Sequence, residues 1–224
     1  MKRVICSILF LFISSISYSQ SSFILKLSPE FIIPFSHNEL YINPILGMGA
    51  QAELQYSVNT TWALFAVYSK DYLIPDKKTF TDGVLIIDYS NAVQDKILAG
   101  LRYTFGNLNK NLRFFVDAGV GLYLYSYGDE NHQYNIPGSD FILSYSQITQ
   151  VGVNFDFGFC YNLSKKLVLI PEFGYTSAFK RSDVTIKETY NETYNLTHSE
   201  DHFILADVPS RSFLQFSLGI GYNL

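Results

Sequence analysis

The sequence has little charge and, after its first twenty residues, no long apolar run. Charged residues make up 16% of the 224, whereas soluble domains usually contain about 25%. They form no basic block of the kind that binds nucleic acid. No later apolar stretch approaches the roughly 18 residues that a membrane-spanning helix needs. We therefore expect a mature chain that has no transmembrane helix and does not bind nucleic acid.

Cysteine is equally scarce, since the chain contains only Cys6 and Cys160. The first of them lies in a segment with a basic start, an apolar centre and small residues up to Ser19. This pattern is typical of a secretory signal peptide, which we place at residues 1–19, with a single domain at 20–224. Cleavage would leave one cysteine, so we expect no internal disulfide.

Aromatic residues are abundant at 17% while prolines number only 7, a composition that favours strands. Eight stretches alternate in hydrophobicity with a period of two, and no stretch of similar length has helical spacing. We therefore predict strands near residues 23–31, 47–58, 62–70, 95–105, 112–125, 147–162, 166–179 and 212–224.

The predicted connections alternate between short turns and long loops. The short turns lie near 59–61, 106–111 and 163–166, and the long loops near 32–46, 71–94, 126–146 and 180–211. Transmembrane barrels of bacterial outer membranes have short turns in the periplasm and long loops outside. The alternation predicts an all-β protein, an eight-stranded antiparallel up-and-down transmembrane β-barrel whose termini lie in the periplasm.

The two faces of the predicted strands differ in a way that suits a bilayer. One face is apolar, and the other carries most of the glycines and nine charges of nearly balanced sign. In lipid the apolar face must point outward. The charged face would then fill a narrow interior without an open pore, as an ion-pair network. Its members are Lys26, Glu30, Glu53, Lys96, Arg102, Arg113, Asp117, Asp156 and Glu172.

The chain ends in "SLGIGYNL", which resembles the C-terminal assembly signal of outer-membrane barrels in Ser217, Gly219, Tyr222 and Leu224. Residues 20–224 as a whole resemble the small bacterial outer-membrane β-barrel domain family, which includes OmpA-type, OmpX-type and PorT-like barrels. The strand phrases "FDFGFCYN" and "PEFGYTS" contribute to this resemblance. It implies a monomer in outer-membrane lipid that depends on the barrel-insertion machinery.

Histidines occur only in the predicted outer loops. The motif "HSEDH" places His198 and His202 four residues apart around Glu200 and Asp201, a spacing that on a helix suits a metal ion. The surrounding sequence has no helical period and lacks the third-ligand pattern of a known site, so a solvated loop is the favoured interpretation. None of the histidines has a serine or acidic partner at reactive spacing. We expect no metal, no cofactor and no catalysis.

The last long loop contains the tandem repeat "ETYNETYN", with Tyr190 and Tyr194 at equivalent positions. Its composition favours a protruding hairpin, whose edge could bind an extracellular protein by strand addition, as OmpX-type barrels imply. Surface decoration is the alternative. The expected function is a non-enzymatic structural or surface-interaction role. The rival hypotheses are a PorT-like component of a secretion apparatus and a lipid-modifying enzyme at the outer rim.

Overall fold

A computed structural model describes most of the chain after residue 22. The described residues are 23–35, 44–75, 79–81, 85–88, 91–106, 111–128, 130–134, 141–145, 147–179, 181–190, 202–208 and 211–224. Within these ranges no helix is long and apolar enough to cross a membrane. The predicted signal peptide lies outside the described residues.

Fourteen strands follow one another along the described chain. They are β1 (Phe23–Pro34), β2 (Pro44–Ser57), β3 (Trp62–Pro75), β4 (Thr79–Thr81), β5 (Leu85–Asp88), β6 (Ala92–Phe105), β7 (Leu112–Tyr127), β8 (Glu130–Tyr134), β9 (Phe141–Tyr145), β10 (Ile148–Asn162), β11 (Leu167–Ala178), β12 (Arg181–Tyr190), β13 (His202–Val208) and β14 (Arg211–Asn223).

Eight of these strands form a closed barrel in the order β1-β14-β11-β10-β7-β6-β3-β2. Every neighbouring pair is antiparallel. Strands β1 and β14 close the cylinder, and the backbone N–H of Leu224 donates to the Phe23 carbonyl oxygen over 2.9 Å. The predicted eight-stranded up-and-down barrel is therefore confirmed.

The two ends of the barrel differ. At the turn end, short connections join β2 to β3, β6 to β7 and β10 to β11, and the first and last described residues lie there as well. At the loop end, three long connections each contribute a hairpin. These hairpins pair side by side into a second sheet in the order β13-β12-β9-β8-β5-β4. The sequence predicted only the last hairpin, β12 with β13.

The outside of the barrel is an apolar belt. Side chains alternate along each strand, so that Leu27 is 61% exposed and Val120 62% exposed while their chain neighbours face the interior. Near the turn end the belt carries aromatic pairs, among them Trp62 and Tyr103, whose ring centres lie 4.8 Å apart. Such a surface suits hydrocarbon with an aromatic girdle at the interface, and in water it would be an unusually large apolar patch.

The turn after β6 requires glycine. Gly106 has a φ of 116°, a conformation that costs other residues about 1–2 kcal/mol. We therefore expect Gly106→Ala to lower the free energy of unfolding by about 1 kcal/mol, measured by urea titration of the barrel in detergent micelles. Asn111→Ala, at the exposed far side of the same turn, serves as the control. Equal effects of the two substitutions would contradict this account of the turn.

Candidate functional site

The barrel interior collects the charged side chains of alternating strand positions. Seven of the nine residues predicted for the network are less than 10% exposed: Lys26, Glu30, Glu53, Lys96, Arg102, Asp117 and Glu172. Asp156 and Arg113 are partly exposed. Asp156 accepts a hydrogen bond from Gln215 inside the barrel, whereas Arg113 lines a cavity at the turn end.

Arg102 of β6 is the centre of the larger charge cluster. Its Nε and Nη2 atoms donate to the Asp117 carboxylate over 2.9 and 2.6 Å. Nη2 also donates to Glu172 Oε1 over 2.8 Å, and Nη1 lies 3.0 Å from Glu53 Oε1. The guanidinium carbon lies 3.9 Å from the ring centre of Phe115. One planar cation thus joins carboxylates from three strands while an aromatic ring covers its face.

Lys26 of β1 completes this group. Its Nζ atom lies 2.6 Å from Glu53 Oε2 and also forms an ion pair with Glu172. Glu172 accepts further hydrogen bonds from Gln51 and Ser217. We call the five charged residues the Arg102 cluster: Lys26, Glu53, Arg102, Asp117 and Glu172. The two cations and three carboxylates hold one another in place, as buried charges require.

A second group lies around Lys96, whose Nζ donates to Glu30 Oε1 over 2.6 Å and to Gln215 Oε1 over 3.0 Å. Gln215 in turn donates to Asp156 over 2.7 Å. Asp71 is fully buried on β3 and accepts a hydrogen bond from Ser69. Asp71 was not among the predicted network residues, because the third strand was predicted to end at residue 70.

Several buried amides lie on the same inward face but were not among the residues predicted for the network. Their positions are Gln51, Gln55, Gln94, Gln150 and Asn154. Apolar side chains fill the interior toward the loop end, among them Ile32, Leu73, Ile148 and Phe213. The interior between the charge clusters and the loop end is therefore packed, and the buried charged groups there are held by polar partners. Among the described residues, no three His, Cys, Asp or Glu side chains are arranged to hold a metal ion.

The residues of the predicted assembly signal divide between the two faces of β14. Ser217 is buried and donates to Glu172 over 3.1 Å, and Gly219 lies against the alkyl chain of Lys26. Tyr222 and Leu224 are 41% and 71% exposed on the outside. The last strand thus contributes both to the Arg102 cluster and to the apolar belt. Recognition by the insertion machinery stays a prediction.

The predicted loop residues lie at or beyond the second sheet. Tyr190 is the last residue of β12 and pairs with Phe141 of β9. Its strand lies between β9 and β13 in the sheet, so Tyr190 is on an inner strand. His202 begins β13. Tyr194, His198, Glu200 and Asp201 lie outside the described residues.

The fold is similar to that of solved outer-membrane barrels. Neisserial surface protein A is 15% identical with a TM-score of 0.56, and the match covers 91% of this chain and 99% of that one. The outer membrane protein OprG from Pseudomonas aeruginosa is 13% identical with a TM-score of 0.53, covering 92% and 97%. A major outer membrane protein from Thermus thermophilus is 12% identical with a TM-score of 0.51, covering 89% and 99%.

No family model matches the chain, and no curated protein matches it significantly. The three structures share its small closed barrel at low sequence identity. The chain therefore has the fold of the small outer-membrane barrels, as the sequence predicts. Architecture of this kind serves many different tasks, so the fold does not decide the function.

Proposed function

We propose that the chain is a non-enzymatic integral protein of a Gram-negative outer membrane that binds an extracellular partner through the edge of its second sheet. The observation that carries the proposal is the position of β13 at one end of that sheet. Binding would extend the sheet by one strand, and another protein would supply that strand.

The apolar belt and the closed barrel support a membrane location, because every barrel strand pairs with a neighbour on both sides while the outward side chains are apolar. The distribution of short and long connections between the two ends of the barrel supports an orientation in the membrane. Short turns belong to the periplasmic side of such barrels and long ones to the outside. The turn end, with both described ends of the chain, would then face the periplasm, and the second sheet would lie outside the cell.

The packed interior supports a non-enzymatic role. Arg102, the largest interior cation, is held by three carboxylates and covered by Phe115. A reacting group needs access to substrate, and these groups have none because they are buried in mutual contacts. Any interaction with an outside partner would therefore fall to the second sheet.

The edge of β13 is suited to strand addition. Six of its seven residues pair with β12 along one side, and within the described part of the chain no strand pairs along its other side. The opposite end of the sheet is β4, which has only three residues. An unpaired row of N–H and C=O groups is a template for another strand. The longer edge, β13, is the one expected to bind.

Photo-crosslinking in living cells tests this proposal. A photoreactive amino acid at Leu205 of β13 is expected to give a discrete protein adduct. Ala206→Pro removes a backbone N–H from β13 and should abolish the adduct, whereas Ala206→Ser keeps the N–H and should retain it. The same photoreactive group at Leu163, in a turn at the other end of the barrel, provides the background control.

Gel mobility of unboiled and boiled samples establishes that each variant still forms the barrel. An adduct that survives Ala206→Pro would show that contact does not depend on the strand edge. No adduct from Leu205, or the same adduct from Leu163, would overturn the proposed function.

A further inference from the structure

The turn end of the barrel encloses a cavity that the interior charge clusters do not use. We call it the vestibule; its volume is about 800 Å³ and its lining includes Gln55, Thr61, Arg113, Cys160 and Lys165. It opens between the turn joining β2 to β3 and the turn joining β10 to β11. Sites for small ligands typically measure about 300–1,000 Å³. The vestibule is therefore large enough to admit a small molecule.

The vestibule carries positive charge without a matching carboxylate. Among the residues that the structure describes, Arg113 and Lys165 are its cationic lining residues, and no aspartate or glutamate lines it. Arg113 forms no ion pair with any residue that the structure describes. The interior carboxylates of Glu53 and Asp117 are already bound by Arg102. A partly buried guanidinium is thus available to an anion from outside the barrel.

The turns around the vestibule present hydrogen-bond donors to it. Asn59 Oδ1 accepts the backbone N–H groups of Thr61 and Trp62 over 2.8 and 2.7 Å, which leaves its amide NH₂ to donate. Ser164 Oγ accepts the backbone N–H of Leu167 over 3.0 Å, which leaves its O–H to donate. A lining with two cations and these two side-chain donors matches a ligand that carries only acceptor oxygens.

We propose that the vestibule binds a small oxyanion, a carboxylate or a phosphate, from the compartment that the turn end faces. Buried side chains close its inner wall: Gln55 accepts a hydrogen bond from Arg102 over 2.8 Å, and Cys160 and Val168 are 7% and 2% exposed. The ligand therefore enters and leaves at the turn end. This site is independent of the second sheet and of the partner proposed there.

Backbone-amide NMR of the purified barrel in zwitterionic detergent tests the site. Inorganic phosphate and acetate are titrated separately at constant ionic strength. Saturable shifts are expected at Thr61, Trp62 and Leu167. Saturation by phosphate identifies a phosphate ligand, saturation by acetate identifies a carboxylate ligand, and saturation by both supports the shared oxyanion chemistry. Linear shifts with both anions would overturn the proposal.

Substitutions locate the binding. Arg113→Gln should weaken it about tenfold, as loss of a charge-assisted hydrogen bond predicts, and Lys165→Gln about threefold, as expected for an exposed charge. Lys166→Gln is the matched control, because that side chain lies over the ring of Tyr222 and does not line the vestibule. If Arg113→Gln fails to fold, the difference in anion affinity between Lys165→Gln and Lys166→Gln tests the proposal instead. Equal weakening by these two, or binding that Arg113→Gln leaves unchanged, would overturn the proposal.

Discussion

Arg102→Met is expected to lower the free energy of unfolding of the barrel by about 3–5 kcal/mol, the cost of removing one partner from a buried ion pair. The methionine side chain can still pack against Phe115, so the loss is mainly electrostatic. Asp117, Glu53 and Glu172 would stay buried with only Lys26 to neutralise them. Urea titration in lipid vesicles, followed by Trp62 fluorescence and by gel mobility, measures the change.

Two further variants separate this electrostatic effect from simple loss of a large side chain. Arg113→Met removes a guanidinium that forms no ion pair with the described residues, and it should cost less than about 1 kcal/mol. Adding Asp117→Asn to Arg102→Met removes one uncompensated charge and should restore part of the stability. Similar losses for Arg102→Met and Arg113→Met, or no recovery in the double variant, would contradict a stabilising role of the Arg102 cluster.

Alternation predicted the barrel strands because a bilayer and a narrow interior impose opposite requirements on their two faces. The alternation becomes weaker at the loop end, because polar side chains there also point outward and apolar side chains also point inward. On β3, outward Lys70 and Tyr72 alternate with inward Asp71 and Leu73, so the apolar contrast that marks the strand is lost. The structure continues β3 to Pro75, and β6 begins three residues earlier than predicted, at Ala92.

The second sheet was beyond sequence reasoning for a different reason. Its strands β4, β5, β8 and β9 contain only three to five residues each, too few for a periodic signal. They are stabilised by pairing between hairpins from different connections, as between Leu85 and Tyr134. No local feature of the sequence encodes such long-range pairing, so the two connections that contain these short strands were predicted as loops.

The pairing of charged side chains in the interior could not be predicted from the sequence either. Alternation assigns Lys26 and Glu172 to one face of their strands, but 146 residues separate these partners in the sequence. The partners of Arg102 lie on β2, β7 and β11. Which charges meet depends on strand order and stagger around the closed barrel, and neither can be deduced from the composition of a single strand.

Gly100→Ala is expected to lower the free energy of unfolding by about 2–3 kcal/mol, because it forces extra volume into a packed interior. A Cβ atom at residue 100 would lie 2.3 Å from the Ala118 carbonyl oxygen and 2.7 Å from the Gly119 Cα atom. These are backbone atoms of β7, paired with β6 at this point. To relieve these contacts, β6 and β7 would have to separate, and this would break backbone hydrogen bonds between the two strands.

Gly119→Ala is the matched control, since Gly119 faces Gly100 across the same pair of strands. A Cβ at residue 119 would meet the Phe65 ring at 3.2 Å and the Ala99 carbonyl oxygen at 3.3 Å, so small shifts suffice and a cost below about 1 kcal/mol is expected. Urea titration of both variants measures the difference, and equal costs would contradict the proposed backbone contact. Phe65 also lies 5.9 Å from the Arg102 guanidinium. Close strand approach at Gly100 and burial of the Arg102 cluster are thus parts of one packing arrangement.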